Sequence, residues 1–145
     1  MQIWDTAGQE RYRAISRAYY KGTMEILLCY AIDDQGSFER IGYWMEEIRK
    51  YASDDVCIVL MGTKSDLPDE RVVSIDEGRQ LADSFGIKFF ETSAKENLNI
   101  DEVFLELTRD ISKILSKKKV DAEASTQIKG RENDSRSGVS CSKCS

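Results

Sequence analysis

The sequence contains no histidine and only one proline, and its four cysteines fall in two different settings. Cys29 and Cys57 lie within apolar runs, whereas Cys141 and Cys144 lie in a polar tail, so the four do not form the framework of a small disulfide-bonded protein. Zinc sites in proteins are built from cysteine and histidine ligands, usually as two pairs. Because Cys141 and Cys144 have no second pair to complete such a site, we expect no zinc there.

Long hydrophobic runs are also missing. The two longest apolar stretches, 26–32 and 56–62, are far shorter than the roughly 18 residues that a membrane-spanning helix needs. The first residues do not follow the basic-then-apolar pattern of a secretory signal. We therefore expect a cytoplasmic protein, or one that is peripheral on the cytosolic face of an intracellular or plasma membrane.

An excess of positive charge is absent as well. The net charge is −5 and the isoelectric point is about 4.9. Binding to nucleic acid depends on a basic surface that neutralises phosphates, so the composition argues against a nucleic-acid partner. Large apolar residues become rare after residue 116. We predict a folded domain over 1–116 and a disordered, hypervariable tail over 117–145.

Within the predicted domain, short apolar runs alternate with amphipathic helical segments. The runs that read as strands cover 1–4, 26–32, 57–62 and 87–90. Strands that alternate with helices in this way predict an α/β fold with a mostly parallel sheet and flanking helices. No internal repeat accompanies the pattern.

Two helix starts are legible in the sequence. Ser74-Ile-Asp-Glu77 fits a capping box, in which the serine and glutamate side chains satisfy each other's backbone N–H groups. Asn99 precedes a second amphipathic stretch and is a candidate N-cap residue. Both predict helices that pack one apolar face on the sheet.

Three short motifs follow one another along the chain: W-D-T-A-G-Q-E at 4–10, T-K-S-D at 63–66 and E-T-S-A-K at 91–95. Guanine presents its N1–H and its exocyclic amine side by side, and one carboxylate can accept both hydrogen bonds, so Asp66 is a candidate for recognising that base. Taken alone, T-K-S-D reads more readily as a turn after a strand, with a capping aspartate. The presence of the third motif downstream, at 91–95, shifts the preference towards base recognition.

The ordered set resembles the small GTPases of the Ras superfamily, and the Rab family most closely. Y-Y-K-G at 19–22 and a tail with two cysteines carry the likeness to Rab proteins. The resemblance implies a Ras-like P-loop GTPase fold, GTP or GDP with Mg²⁺ as ligands, and hydrolysis of GTP to GDP and phosphate as a switch in vesicle-mediated protein transport.

The resemblance also assigns roles to individual residues. Asp5 would hold the metal through a water molecule, Gly8 would donate its N–H to the γ-phosphate, and Gln9 would be the catalytic residue that orients the attacking water. The guanine base would be bound by residues of the second and third motifs: Thr63, Lys64, Asp66, Ser93, Ala94 and Lys95. Thr63 stands where the family usually has asparagine, which predicts a modestly weaker bracing of its loop.

Surface and tail residues match the family as well. Trp4 and Tyr19 correspond to two aromatic residues that face Rab effectors, although ordinary packing would explain them too. Cys141 and Cys144 correspond to prenylated cysteines, with unmodified thiols in a loose tail as the alternative. By this likeness the partners are effectors, exchange factors, prenylation and membrane-extraction factors, and the membrane itself.

No window of the 145 residues matches G-x-x-x-x-G-K-[ST], the loop that cradles the phosphates. The resemblance therefore predicts an N-terminally truncated domain that lacks the first two strands and the first helix of the family fold, without direct magnesium ligands. Two functions remain open: a Rab-like GTPase in its complete form, or a nucleotide-free, prenylated interaction fragment or incomplete gene model without GTPase activity.

Overall fold

The computed structural model describes residues 2–6 and 13–134. Three strands form one parallel sheet in the order β1-β2-β3: Glu25–Ala31, Cys57–Thr63 and Lys88–Glu91. The helices are α1 (Arg13–Tyr20), α2 (Gln35–Tyr51), α3 (Ile75–Phe85) and α4 (Ile100–Asp134), and a short 3₁₀ turn covers Pro68–Glu70. The predicted α/β class with a parallel sheet and flanking helices is confirmed.

Hydrophobic residues on both faces of the sheet explain its position between helices. On one face Tyr30, Ile32 and Leu60 pack with the buried side chains of α2, among them Ile41 and Met45. On the other face Val59 packs with Val103 and Leu107 of α4. Parallel strands covered on both faces read as continuous apolar runs, which is why the sequence predicts all three strands of this sheet.

Close contact between α3 and the sheet depends on a glycine. A Cβ atom on Gly78 would lie 2.3 Å from the Tyr30 hydroxyl oxygen and 2.6 Å from Cζ of Phe89. No side chain fits into that space without displacing an aromatic ring. Gly78 therefore fixes the distance between α3 and the strands whose ends carry the candidate site.

The two predicted helix starts have different outcomes. Ser74 and Glu77 form the capping box, with Oγ of Ser74 accepting from the Glu77 N–H at 3.2 Å and Glu77 Oε2 accepting from the Ser74 N–H at 2.8 Å. Asn99 does not cap α4 in the expected way. Its backbone is left-handed (φ 57°) and its side-chain amide donates to the Glu91 carbonyl at 2.7 Å, which ties the start of α4 to the end of β3.

The predicted strand at 1–4 is wrong for the residues described there. Residues 2–6 lie outside any strand, because a strand needs a hydrogen-bonded neighbour and the sheet that the structure describes ends at β1. Ile3 and Trp4 are exposed instead.

The predicted tail also differs from the structure over part of its length. The chain divides into a unit over 1–111 and a second unit over 112–145. Helix α4 runs to Asp134, so residues 117–134, which we expected to be disordered, are helical. A helix can continue on local hydrogen bonds once its first turns exist, even where no apolar face is left to pack. Among the described helices, none combines the length and apolarity needed to cross a bilayer.

Candidate functional site

The loops that follow β2 and β3 lie side by side at the carboxyl ends of the strands. The strands are hydrogen-bonded neighbours, and the Thr92 N–H donates to the Gly62 carbonyl at 2.8 Å. One step further out, the Ser65 N–H donates to the Thr92 carbonyl at 3.0 Å. These bonds bring together the second and third sequence motifs, which are almost thirty residues apart in the chain.

Asp66 and Ser93 are in direct contact at the centre of this region. Ser93 is fully buried, and its hydroxyl donates to Oδ1 of Asp66 at 2.6 Å. The hydrogen bond from Ser93 lowers the pKa of the Asp66 carboxyl, and the positive charge of Lys95 lowers it further. Asp66 is therefore ionised at neutral pH and presents only acceptor oxygens.

The loop around Ser93 is closed by its own hydrogen bonds. Ser93 and Leu98 form an antiparallel bridge, with N–H to carbonyl distances of 3.1 and 2.9 Å. The Glu96 N–H donates to Oγ of Ser93 at 3.0 Å, so this hydroxyl is held from both sides. A left-handed backbone at Asn97 (φ 50°) allows the tight turn. The serine is thus positioned by its loop before any ligand is present.

Ala94 and Lys95 are displayed on the outside of that loop. Both residues are exposed, and the side chain of Lys95 is 72% exposed. Its ammonium lies 3.7 Å from Oδ2 of Asp66, which is an ion pair with little geometric constraint. The side chain of Asp66 itself is only 9% exposed.

Thr63 and Lys64 connect the end of β2 to this site. The Thr63 hydroxyl donates to the Tyr30 carbonyl at 2.9 Å, so it ties β2 to β1. Lys64 has a left-handed backbone (φ 63°), and its carbonyl accepts from the Leu67 N–H at 3.0 Å in the turn that carries Asp66. Its ammonium donates to Asp33 at 2.6 Å.

Asp33 is a site residue that sequence reasoning missed. It lies directly after the apolar run that forms β1, at the same end of the sheet as Asp66. The signal for it was the pair of acidic residues at 33–34, which follow a buried strand where functional side chains often stand.

The predicted phosphate and metal residues are described only in part. Asp5 is exposed, while Gly8 and Gln9 lie outside the described residues. In the part of the chain that the structure covers, no group of three or more histidine, cysteine, aspartate or glutamate side chains is placed to hold a metal ion.

Two other predicted features, an aromatic pair and the tail cysteines, were assigned by the family likeness. The rings of Trp4 and Tyr19 stack with centroids 4.9 Å apart and an interplanar angle of 30°. Trp4 is 56% exposed and Tyr19 is 37% exposed, so the pair forms an aromatic patch on the surface. Cys141 and Cys144 lie outside the described residues.

Comparison with known proteins gives a consistent picture. The family model described as "Ras family" matches residues 1–113. The chain is 46% identical over 147 residues to "Ras-related protein RAB1BV" of Beta vulgaris, which covers 99% of this chain and 68% of that protein. It is 49% identical to "GTP-binding protein ypt2" of Schizosaccharomyces pombe, with 85% of this chain and 60% of that protein covered.

A third relative is "Ras-related protein Rab-8A" of Gallus gallus, which is 52% identical over 81% of this chain and 57% of its own length. The chain thus spans between 57% and 68% of the length of these relatives.

Proposed function

Because this chain belongs to the Ras family and resembles its Rab members, we propose that the loops after β2 and β3 bind the guanine base of GTP and GDP, as part of a Rab-type GTPase that acts in vesicle traffic. The family match and the Rab-named relatives support the class of protein. The geometry of the loops after β2 and β3 supports a guanine nucleotide as the ligand.

The observation that carries the proposal is the contact between Ser93 and Asp66. A carboxylate held at 2.6 Å by a buried hydroxyl, with a lowered pKa, keeps a fixed pair of acceptor oxygens. The N1–H and the exocyclic amine of guanine match such a pair, whereas adenine offers an acceptor at N1. Asp66 therefore selects guanine over adenine, and Ser93 fixes the orientation of the carboxylate.

Lys64, Lys95 and Ala94 complete the proposed pocket. The aliphatic stems of the two lysines supply apolar walls for the faces of the base, and the exposed ammonium of Lys95 can move off Asp66 when the base arrives. Ala94 would donate its backbone N–H to the guanine carbonyl. Thr63 supports this arrangement indirectly, through its bond to β1.

The switch and membrane roles rest on family likeness. Gln9 would orient the water that attacks the γ-phosphate, and Gly8 would donate its N–H to that phosphate. Asp5 would bind Mg²⁺ through water, and the metal would supply charge neutralisation between the phosphates. Prenylation of Cys141 and Cys144 would hold the protein on a membrane, where prenylation and extraction factors would meet it.

The exposed Trp4–Tyr19 patch supports the proposal of effector binding. Stacked aromatic side chains supply contact area at low entropic cost, which suits a protein interface. The same patch would serve the second candidate function, a nucleotide-independent interaction protein that engages effectors without hydrolysing GTP. Nucleotide binding separates the two.

The test uses the full 145-residue chain and compares GDP with ADP by NMR titration. We expect a preference for GDP, and we expect Asp66→Asn to lower GDP affinity by about tenfold or more, because a charged acceptor pair is lost. Asp69→Asn removes an exposed carboxylate from the neighbouring 3₁₀ turn and is the matched control, expected to bind like the wild type. Equal binding of GDP and ADP by the wild type would contradict the proposal.

A further inference from the structure

Asp33 and Lys64 form an ion pair across the ends of two adjacent strands. Asp33 follows β1 and Lys64 follows β2, and the register pairs Ala31 with Thr63 just before them. The lysine ammonium lies 2.6 Å from Oδ2 of the carboxylate. This short distance marks a charge-assisted hydrogen bond.

The Asp33 carboxylate depends on this lysine. Its side chain is 16% exposed, against 52% for Lys64. The second oxygen, Oδ1, is buried and has no hydrogen-bond partner in the part of the chain that the structure describes. A half-satisfied carboxylate has little freedom to release this lysine, because the charge would then be poorly solvated. Asp33 therefore holds the end of the Lys64 side chain in place.

The backbone of Lys64 adds a second constraint. The residue is in the left-handed region, and its carbonyl closes the turn that leads to Asp66. The Ile32 N–H donates to the Thr63 carbonyl at 3.1 Å and fixes the two strand ends relative to each other. With its backbone set by the turn and its ammonium set by Asp33, the four-carbon stem between them has few conformations left.

We propose that Asp33 is a positioning residue of the base site: its ion pair with Lys64 holds the lysine stem as a rigid wall for the face of the base. The inference rests on the proposed function, because it assigns a role within the same site. Asp66 reads the edge of the base and so decides which purine is bound. Asp33 acts through Lys64, whose stem lies against the face of the base, and so it contributes equally to the binding of every purine.

Pre-organisation is the physical basis of this contribution. Without Asp33 the Lys64 side chain samples many rotamers, and binding must then restrict it at an entropic cost. An ion pair with one exposed partner contributes modestly, and we expect Asp33→Ala to weaken binding of GDP and ADP about two- to fivefold each. The ratio between the two nucleotides is expected to stay unchanged.

The test is a double-mutant cycle in the full chain with Asp33→Ala, Lys64→Ala and the double variant. If Asp33 acts through Lys64, its effect on GDP affinity disappears in the Lys64→Ala background. Equal losses in both backgrounds, or a changed GDP-to-ADP ratio, would overturn the proposal. Asp33→Asn is a second, nearly isosteric variant with the same expected loss, and Asp54→Ala at the other end of the sheet is the control.

A measurement without nucleotide separates this proposal from the proposed function. Acetylation of Lys64 by a small reagent, followed by mass spectrometry, is expected to rise severalfold in Asp33→Asn, while acetylation of Lys95 stays constant. Unchanged labelling of Lys64 would overturn the role of Asp33. Equal binding of GDP and ADP by the wild type would instead contradict the proposed function.

Discussion

Two carboxylates at opposite ends of the three-stranded sheet, Asp66 and Glu25, differ in their hydrogen bonds and in their pKa values. At the carboxyl end, Asp66 is held by the Ser93 hydroxyl and its pKa is lowered. At the amino end, both oxygens of Glu25, the first residue of β1, are buried without a hydrogen-bond partner among the described residues. Burial, together with the negative charge of Asp110, raises the pKa of Glu25 to about 7.

A shared lysine explains why no hydrogen-bond donor among the described residues reaches the Glu25 carboxyl group. Lys88, the first residue of β3, donates to Glu106 and to Asp110 of α4, each at 2.5 Å. Three carboxylates therefore surround one cation, and the lysine serves the two on the helix. Its positive charge lowers the pKa of Glu25 only in part, since burial is the larger influence.

The difference shows how a donor group decides what a carboxylate can do. A carboxylate supplied with a hydroxyl stays charged and keeps a fixed shape, which suits ligand recognition. A carboxylate buried beside others takes up a proton instead, which makes it sensitive to pH near neutrality. The following changes are expected to weaken or invert this contrast.

Ser93→Ala is expected to have the largest effect, because it would make the carboxyl end resemble the amino end. Asp66 would lose its buried donor, its pKa would rise, and GDP affinity would fall about tenfold. In the wild type, the stabilisation from the lowered pKa is present above the ordinary value of 3.8 and is lost as the pH falls through the folded-state pKa.

NMR titration of the Asp66 carboxyl carbon in Ser93→Ala measures this change directly. Ser84→Ala is the control, since that hydroxyl donates only within its own helix, to the Leu81 carbonyl. An unchanged Asp66 titration in Ser93→Ala would contradict the role given to the serine.

Lys88→Ala is expected to have the next largest effect, on the amino end. It leaves Glu25, Glu106 and Asp110 without their shared cation, so we expect the free energy of unfolding to fall by about 1–2 kcal/mol. The loss should be greater at pH 8 than at pH 5, because Glu25 is protonated at the lower value.

Urea denaturation at the two pH values checks the Lys88 prediction. Lys21→Ala removes an exposed lysine that follows α1 and is the matched control. The contrast between the ends would not hold if Lys88→Ala were as stable as the control at pH 8.

Glu25→Gln is expected to have the smallest effect. It replaces a carboxyl group whose neutral form is favoured by burial with a side chain that is always neutral. The Glu25 pKa is about 7 in the folded protein against 4.5 for an ordinary glutamate. Its contribution to stability is therefore fully present below about 4.5 and is lost as the pH rises through about 7. After allowance for partial solvation, this amounts to about 1 kcal/mol.

The variant keeps a neutral side chain at every pH, so it should be more stable than the wild type at pH 8 and similar at pH 4. Thermal melts across that range measure the difference. Glu46→Gln, on the exposed face of α2, should leave the wild-type pH profile intact. A profile for Glu25→Gln that parallels the wild type would show that Glu25 does not carry the proton.

Local features of the fold could be predicted from the sequence. The strand predicted at 26–32 is Glu25–Ala31, and the capping box at Ser74 is present, because both depend on neighbouring residues alone. That the second and third motifs belong to one site followed from the family likeness, since spacing alone does not reveal which loops meet.

Contacts between distant elements could not be predicted. Glu25 lies just before the strand predicted at 26–32 and Lys88 lies within the one predicted at 87–90. Only the packing of α4 over the sheet brings Asp110 close to them. Asp33 and Lys64 meet because two parallel strands end in register. The amide of Asn99 was predicted to cap a helix, yet it binds the end of β3. These outcomes depend on tertiary structure, which overrides local preference.

The left-handed backbone at Lys64 has a consequence for how this region can evolve. Glycine adopts that conformation without steric cost, so Lys64→Gly would relieve the backbone of a strained residue. It would also delete the stem and the ammonium that Asp33 holds. Selection for stability alone would thus favour glycine, and selection for ligand affinity would favour lysine. Under the proposed function, the lysine that stands there marks a trade-off settled in favour of ligand binding.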